Sequence, residues 1–208
     1  MNFFQKSLLK IASFLYPSKI YGLNNLCDSN MLICCNHLSM IDVVYLSKIF
    51  DKDTHFVAKK EVMENKLFGG LLRGFGAIPI DRENVDIRSI MNIVKVIKNG
   101  KNLVIFPEGT RNKTGSTDLL PFKGGSMVFA VKTKKPILPI IIYKKATLFR
   151  RNHVIIGKPI ELIDFFGEEL NDKTVISMET YVRDKMIELQ KELTEIVLSK
   201  KKSRKEKR

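Results

Sequence analysis

The chain is poor in the residues that build disulfide frameworks and metal sites. It has three cysteines and three histidines among its 208 residues. The number of cysteines is odd, and Cys34 and Cys35 are adjacent within an apolar segment. This arrangement favours buried thiols in a reducing compartment over disulfides. No spacing of cysteine and histidine is typical of a metal-ligand set, so we expect no metal site.

Long apolar runs are also missing from the sequence. No segment reaches the roughly eighteen consecutive apolar residues that a spanning helix needs, so we expect no membrane-spanning helix. The N-terminus is apolar, but Lys6 and Lys10 interrupt it and no small-residue cleavage site follows. These features argue against a signal peptide.

Acidic residues are few compared with basic ones. The chain has 22 Asp and Glu against 36 Lys and Arg, and its formal net charge is +14. Residues 200–208 contain seven basic residues and one acid, and we expect them to form a disordered, solvated tail. An excess of positive charge favours an anionic partner, either nucleic acid or a membrane. Because no aromatic residues interleave with the basic cluster and no nucleic-acid-binding motif is visible, we expect no nucleic-acid partner.

Apolar strands alternate with amphipathic helices along the chain, which predicts an α/β sheet layered with helices. Strands are predicted at 31–35, 55–58, 77–80, 103–106, 137–143 and 154–156. Helices are predicted at 4–15, 39–49, 62–72, 87–97, 124–133 and 175–198. No internal repeat and no linker is visible, so residues 17–199 are predicted to form one domain after an N-terminal helical segment, 1–16.

The polar segment Asn36–Asp42 directly follows the first predicted strand. A histidine takes up protons near neutral pH, and a carboxylate on its other nitrogen fixes the tautomer, so His37 and Asp42 could form a general base. Their spacing of five does not fit one face of a helix. We therefore expect His37 in a strand-to-helix turn, Ser39 as the helix cap and Asp42 in the first turns. A helix cap beside a non-catalytic histidine is the alternative.

Three further segments follow the same pattern of a buried strand with polar residues at its end. They are Gly76–Arg82, Leu103–Arg111 and Ile137–Tyr143. In open α/β sheets, ligands bind at the carboxyl ends of the strands. These segments are therefore expected to meet at one site.

Together the segments resemble the 1-acylglycerol-3-phosphate acyltransferase family of glycerolipid acyltransferases. The NHxxxxD pattern of that family matches Asn36–Asp42, and its block of glycine, apolar residues and Asp-Arg matches Gly76–Arg82. Its FPEGTR block matches Phe106–Arg111, and its proline among aliphatic residues matches Pro139. The family often has a serine after the arginine, where this chain has Asn112.

The resemblance covers roughly residues 22–160 and implies a glycerolipid-acyltransferase-like mixed sheet layered with helices, preceded by the amphipathic helix. It also implies transfer of an acyl group from acyl-CoA or acyl carrier protein to 1-acylglycerol-3-phosphate (lysophosphatidic acid), giving phosphatidic acid, with no cofactor. No serine or cysteine motif suggests an acyl-enzyme, so we expect direct transfer to the acceptor. His37 and Asp42 would be catalytic. The expected substrate-binding residues are Asn36, Ser39, Lys59, Arg82, Glu108, Gly109, Thr110 and Arg111.

Arg82 and Arg111 are candidates for holding the acceptor phosphate, because a guanidinium binds two phosphate oxygens at once. Lys59 joins them by resemblance. Ion pairs with Asp81 and Glu108 are the structural alternative for the two arginines. Glu108 is expected to orient an arginine or a substrate hydroxyl.

The N-terminal helix has an apolar face from Phe4 to Leu15, with Lys6 and Lys10 on the other side. Packing of this face against the body is one interpretation, but a lipid substrate favours a place in the membrane interface. The expected location is the cytoplasmic face of the cell membrane, peripheral or monotopic, with anionic lipid as a partner. Glycerol-3-phosphate or another lysophospholipid as acceptor, or a non-catalytic basic binding protein, are the alternatives.

Overall fold

Seven strands form one sheet in the order β1-β7-β6-β2-β5-β3-β4. A computed structural model describes residues 3–26, 30–50, 54–64, 69–74, 76–80, 87–123 and 125–206. The strands are β1 Ser18–Tyr21, β2 Leu32–Cys35, β3 Thr54–Lys59, β4 Ala77–Ile80, β5 Asn102–Ile105, β6 Ile137–Ile142 and β7 Asn152–Ile156. The helices are α1 Phe3–Leu15, α2 Asp42–Leu46, α3 Lys60–Glu64, α4 Gly69–Gly74, α5 Ile87–Lys98, α6 Val128–Thr133 and α7 Asp172–Glu206.

The direction of the strands brings several loops to one edge of the sheet. Strands β6, β2, β5, β3 and β4 are parallel, whereas β7 is antiparallel to β6 and β1 is parallel to β7. We call the side on which the five parallel strands end the carboxyl edge. Because β1 and β7 run the other way, they begin at this edge, where the register pairs Ser18 with Asn152.

Both faces of the sheet are buried, as is usual for parallel strands covered by helices. Leu32 and Cys34 point into a core shared with α5, α6 and α7, whereas Ile33 and Cys35 point into a second core shared with α2. This alternation follows from the period of two along a strand. Cys34 and Cys35 are free, fully buried thiols on opposite faces of the sheet.

The mixed sheet and its N-terminal helix confirm the predicted fold class, and each predicted strand is present. Strand β1 was not predicted, because it is only four residues long and owes its extended form to pairing with β7. The helix expected at 62–72 is α3 and α4, with 65–68 outside the described residues. Helix α6 begins at Val128, and Gly124 lies outside the described residues.

The helix expected at 39–49 is only the five residues of α2, and Ser39 does not cap it. The cap position is held by Ile41, which makes no side-chain cap bond. The Ser39 hydroxyl instead donates to the Asp42 carboxylate and accepts from the Ile41 N–H. Asp42 does lie in the first turn of the helix, as the spacing predicted.

The C-terminal helix extends beyond its predicted end at residue 198. Helix α7 continues to Glu206, which corrects the expectation of a disordered tail starting at residue 200. Lysine and arginine are good helix formers, and positive charge is favoured near a helix C-terminus, so the basic segment continues the helix. The Lys200 ammonium lies over the Tyr21 ring, 4.3 Å from its centroid, and ties this end to β1.

Helix α1 matches its predicted position but buries its apolar face only in part. Leu8 and Leu15 are half-buried, whereas Ile11 and Phe14 are exposed. The Lys48 ammonium, beyond the end of α2, donates to the carbonyl oxygens of Tyr16 (2.8 Å) and Ser13 (3.3 Å) and fixes the C-terminal end of α1. Among the described residues, no helix combines the length and the apolar character that crossing a bilayer requires.

Candidate active site

Asn36 extends the pairing of β2 and β6 by one residue with its side chain. Its amide nitrogen donates to the Ile142 carbonyl (3.0 Å), and its amide oxygen accepts from the Ile142 N–H (2.8 Å). The side chain therefore makes the two bonds that a peptide group would make, and it is buried. This fixes the point at which the chain leaves the sheet, one residue before His37.

The backbone of His37 is held on both sides by the loop after β5. Its N–H donates to a Glu108 carboxylate oxygen at 2.9 Å. Its carbonyl accepts from the Asn112 N–H at 2.7 Å. Neighbouring parallel strands end side by side at the carboxyl edge, so the loops after β2 and β5 can bond directly.

The imidazole of His37 is oriented by Asp42 and Phe106. Nδ1 lies 2.8 Å from Asp42 Oδ2, and the ring stacks on Phe106 with 4.0 Å between centroids. The same carboxylate oxygen accepts the N–H groups of Leu38 (2.7 Å) and Ser39 (2.8 Å). Since a carboxylate only accepts, Nδ1 carries the hydrogen and Nε2 is left as a proton acceptor.

Glu108 is set in place by a tight turn. The Gly109 N–H donates to the Phe106 carbonyl at 3.0 Å, with Pro107 at the second position of the turn, where proline is favoured. The Glu108 side chain is only 1% exposed, and its second oxygen accepts the Leu120 N–H at 3.2 Å. Its carboxylate thus joins the loops that follow β2 and β5, and each of its oxygens accepts a backbone hydrogen bond.

Burial raises the pKa of Glu108 to about 6, and the negative charge of Asp42 adds to this effect. The hydrogen bonds from His37 and Leu120, together with the charge of Arg183, act in the opposite direction. Arg183, on α7, donates to the carbonyls of Leu119 (2.7 Å) and Leu120 (3.2 Å). The arginine that supports this loop is therefore Arg183, and within the described ranges Arg111 forms no ion pair with Glu108.

A groove of about 200 Å³ opens beside His37 at the carboxyl edge. Its polar lining comes from His37, Lys59, Thr110 and Arg111. Its apolar lining comes mainly from β3 and from the segments after β2 and β3, with Met40, Val43, Phe56, Val57, Val62 and Leu72 among the contributors. The groove thus offers a proton acceptor, two cations and an apolar wall to one ligand.

The predicted site residues fall into two groups. His37, Lys59, Gly109, Thr110 and Arg111 line the groove. The second group lies behind the histidine, and its polar side-chain atoms make hydrogen bonds within the protein. It consists of Asn36, Ser39, Asp42 and Glu108. Arg82 and its neighbour Asp81 lie outside the described residues.

Lys59 and Arg111 differ in their surroundings. The Lys59 ammonium lies 3.2 Å from a Glu61 carboxylate oxygen, and both side chains are exposed. Arg111 is exposed, and no ion pair joins it to any part of the chain that the structure describes. Its guanidinium is therefore available to an anionic ligand.

Sequence reasoning missed the supports of the histidine that come from distant segments. Phe106 is the first residue of the FPEGTR block, and Asn112 directly follows the block. Their proximity to His37 could have been predicted if β2 and β5 had been known to be neighbours. No feature of the sequence indicates that Ile142, Leu120 or Arg183 lies near His37. They reach the site only through the packing of β6, the loop after β5 and α7.

Comparison with known proteins gives a family match. A family model described as Acyltransferase matches residues 17–143. A 1-acyl-sn-glycerol-3-phosphate acyltransferase from Bacillus subtilis is 34% identical over 171 residues, which are 79% of this chain and 84% of that protein. The one from Cocos nucifera is 34% identical over 178 residues, 80% of this chain and 57% of that protein. The one from Helicobacter pylori is 37% identical over 134 residues, 62% of this chain and 53% of that protein.

One solved structure has a similar fold. It is the crystal structure of the 1-acyl-sn-glycerophosphate (LPA) acyltransferase from Thermotoga maritima, with a TM-score of 0.61 and 22% identity. The match covers 88% of this chain and 80% of that chain. At this identity the likeness concerns the fold.

Proposed function

The chain belongs to the acyltransferase family, and from this premise we propose that it transfers an acyl group from an acyl thioester to the free hydroxyl of 1-acylglycerol-3-phosphate, giving phosphatidic acid. The observation that carries the proposal is the His37–Asp42 pair at the mouth of a groove that also contains Lys59 and Arg111. The relatives from Bacillus subtilis, Cocos nucifera and Helicobacter pylori are named for this same acceptor, which supports the proposal.

His37 acts as the general base in this proposal. Its Nε2 takes the proton from the acceptor hydroxyl while the hydroxyl oxygen forms a bond to the thioester carbonyl carbon. The tetrahedral intermediate then breaks its C–S bond, and the proton on His37 passes to the leaving thiolate. Asp42 keeps the imidazole in one tautomer and stabilises its protonated form between these steps.

Direct transfer without an acyl-enzyme agrees with the surroundings of the two described cysteines. Cys34 and Cys35 are fully buried in β2, and burial raises the pKa of both thiols, so neither offers a thiolate to a substrate. The donor is acyl-CoA or acyl carrier protein, and we propose no further cofactor.

The acceptor phosphate is held by Arg111 with help from Lys59. Both line the groove that contains His37, and a guanidinium can bind two phosphate oxygens at once. Arg82 remains a third candidate on the basis of its motif. The apolar wall of the same groove suits an acyl chain.

A membrane location follows from the lipid acceptor. We propose that the protein acts at the cytoplasmic face of the cell membrane as a peripheral or monotopic protein. The exposed apolar residues Ile11 and Phe14 of α1 support this location, and so does the net charge of +14.

The proposed function is tested with purified protein, lysophosphatidic acid and an acyl thioester, by measuring the released thiol and the diacyl product. His37→Ala is expected to lower the turnover by roughly a hundred- to ten-thousand-fold, the usual contribution of a positioned base. Asp42→Asn is expected to lower it less, because the base loses its orienting group but is still present. A folded His37→Ala protein with nearly wild-type turnover would refute the catalytic assignment. Glycerol-3-phosphate and other lysophospholipids complete the acceptor panel.

A further inference from the structure

The turn between β6 and β7 carries two large apolar residues at its tip. Thr147 and Arg150 form an antiparallel bridge, with the Arg150 N–H donating to the Thr147 carbonyl at 3.1 Å. Leu148 and Phe149 fill the central positions and are exposed. Phe149 has a φ of 55°, in the left-handed region that glycine and asparagine adopt more readily. Phe149 is therefore a large exposed aromatic residue in a backbone conformation that such residues rarely adopt.

This turn is continuous with the exposed side of α1. The Phe149 N–H donates to the Leu15 carbonyl at 2.8 Å. The Phe149 ring meets the Phe14 ring edge to face, with 6.5 Å between centroids, and Phe14 is 76% exposed. Ile11, one helical turn before Phe14, is also exposed. We call the four side chains Ile11, Phe14, Leu148 and Phe149 the aromatic patch.

Positive charge surrounds the aromatic patch. Four exposed basic residues flank the turn, namely Lys144, Lys145, Arg150 and Arg151. The segments 1–27 and 134–160, which supply the patch and its neighbours in sequence, contain no aspartate or glutamate. Exposed aromatic and aliphatic side chains beside lysine and arginine suit the interface of a bilayer with anionic headgroups.

The strand directions place this patch at the carboxyl edge. Strand β6 is parallel and adjacent to β2, so the turn after β6 leaves the sheet on the same side as His37 after β2. Helix α1 reaches that side too, because β1 begins there. A surface that holds this edge against a bilayer would turn the groove towards its lipid acceptor.

We propose that the aromatic patch is a membrane-docking surface for an anionic phospholipid bilayer, in which the β6–β7 turn and α1 enter the interface together. That docking presents the groove to a lipid acceptor rests on the proposed function, whereas binding of the patch to the bilayer does not. The turn is thus a second membrane contact in addition to the N-terminal helix.

The chain contains no tryptophan, so a single tryptophan can report its own surroundings. In Phe149→Trp, adding vesicles of phosphatidylcholine and phosphatidylglycerol should shift the emission to the blue, and brominated lipid should quench it. The matched control is Met91→Trp on α5, since Met91 and Phe149 are both 64% exposed. No shift at position 149, or an equal shift at position 91, would overturn the proposal.

A variant with both apolar side chains of the turn replaced completes the test. In Leu148→Ser/Phe149→Asn the turn keeps a residue that tolerates a positive φ, so folding should be retained and can be followed by circular dichroism. Co-sedimentation with the same vesicles should weaken by about tenfold or more, because two large apolar side chains no longer enter the interface. Ile163→Ser, at another exposed apolar residue, should bind as wild type does. A double variant with wild-type binding would show that the turn does not dock.

Activity measurements separate this proposal from the proposed function. The double variant should lose acyl transfer when lysophosphatidic acid is presented in vesicles and retain it when the substrate is dispersed in detergent micelles. Equal loss in both formats would mean that the turn acts on catalysis and would contradict a docking role. A wild-type protein that binds vesicles but transfers no acyl group would refute the proposed function and leave the docking surface standing.

Discussion

At the scale of single residues, the site depends on polar side chains that hydrogen-bond to the protein's own backbone. Asn36, Asp42 and Glu108 are buried, and each bonds to backbone groups of the loops that hold His37 or of the adjoining strand. Buried polar groups of this kind stabilise a structure only when all their partners are present. Their substitution should therefore affect stability and turnover together.

The buried Glu108 carboxylate should give the protein a pH-dependent stability. Because the pKa of Glu108 is about 6 in the folded protein against an ordinary 4.5, the folded state binds the proton more tightly than the unfolded state does. Stability is therefore lost as the pH rises through this range, by about 2 kcal/mol at about 1.4 kcal/mol per pH unit. Urea unfolding of wild type and Glu108→Gln from pH 4 to 7.5 would measure the difference.

The free energy of unfolding of wild type should fall relative to that of Glu108→Gln as the pH rises. Glu195→Gln, at an exposed position on α7, serves as the control and should follow the wild-type profile. Parallel profiles for wild type and Glu108→Gln would contradict the assignment.

Asn36→Ala should destabilise the protein, because it leaves the buried N–H and carbonyl of Ile142 without partners. Each unsatisfied group costs about 1–3 kcal/mol, so a loss of roughly 2–6 kcal/mol is expected in chemical denaturation. The turnover should fall as well, since the amide fixes the residue before His37. Asn99→Ala, at an exposed position after α5, should change neither quantity, and an Asn36→Ala protein of wild-type stability would show that the two bonds are dispensable.

Arg111→Ala should weaken the use of lysophosphatidic acid by roughly ten- to over a hundredfold, the range for one lost charged hydrogen bond. The use of a monoacylglycerol, which has no phosphate, should change little. Steady-state kinetics with both acceptors measure the difference, and Lys98→Ala on α5 controls for the loss of one surface charge. Equal impairment with both acceptors would mean that Arg111 has a structural role.

At the scale of elements, α1 is attached to the body through Lys48. The ammonium donates to Ser13, Tyr16 and Ser18, and burial lowers the pKa of the Lys48 side chain. Lys48→Met keeps the length of the side chain but removes these bonds, at a local cost of about 1.5 kcal/mol for a half-buried charge. Limited proteolysis should then cut within residues 1–16 faster.

The control for Lys48 is Lys185→Met, since Lys185 pairs with Glu188 at the surface and contributes little. Unchanged cleavage of the N-terminal segment in Lys48→Met would show that apolar contacts alone hold α1. Faster cleavage throughout the chain would instead indicate global destabilisation.

The elements also show what the sequence could predict. The buried strands were found because their residues are continuously apolar, and α5 because its apolar residues repeat at helical spacing. Strand β1 was missed because its pairing with β7 joins residues more than a hundred positions apart. The start of α2 was predicted at Ser39, but the Ser39 hydroxyl bonds to Asp42 and the N-cap position is Ile41.

For the site, the His37–Asp42 contact was predictable because the two residues lie within one turn. The two bonds of Glu108 were not predictable, because its oxygens accept from backbone N–H groups of residues 71 and 12 positions away. Such partners are fixed by the tertiary fold, and no local pattern in the sequence identifies them.

At the scale of the whole molecule, the sheet brings the groove and the aromatic patch to one side. Three of the parallel strands, β2, β3 and β5, and the segments that follow them supply most of the groove residues. The reversed pair β7–β1 returns the chain to the carboxyl edge beside α1. Positive charge is distributed over the body, with a further concentration in the last turns of α7.

The local origin of the bonds to Asp42 has a consequence for how such an enzyme can diversify. The donors to this carboxylate come from residues 37–39, whereas much of the groove wall comes from β3, α3 and α4. The pair that we propose as the acid–base group is thus formed by one short segment, separate in sequence from much of the groove wall. If the groove binds the acyl chain as proposed, we expect substitutions at 56–72 to change the preferred chain without altering the bonds between Asp42 and residues 37–39.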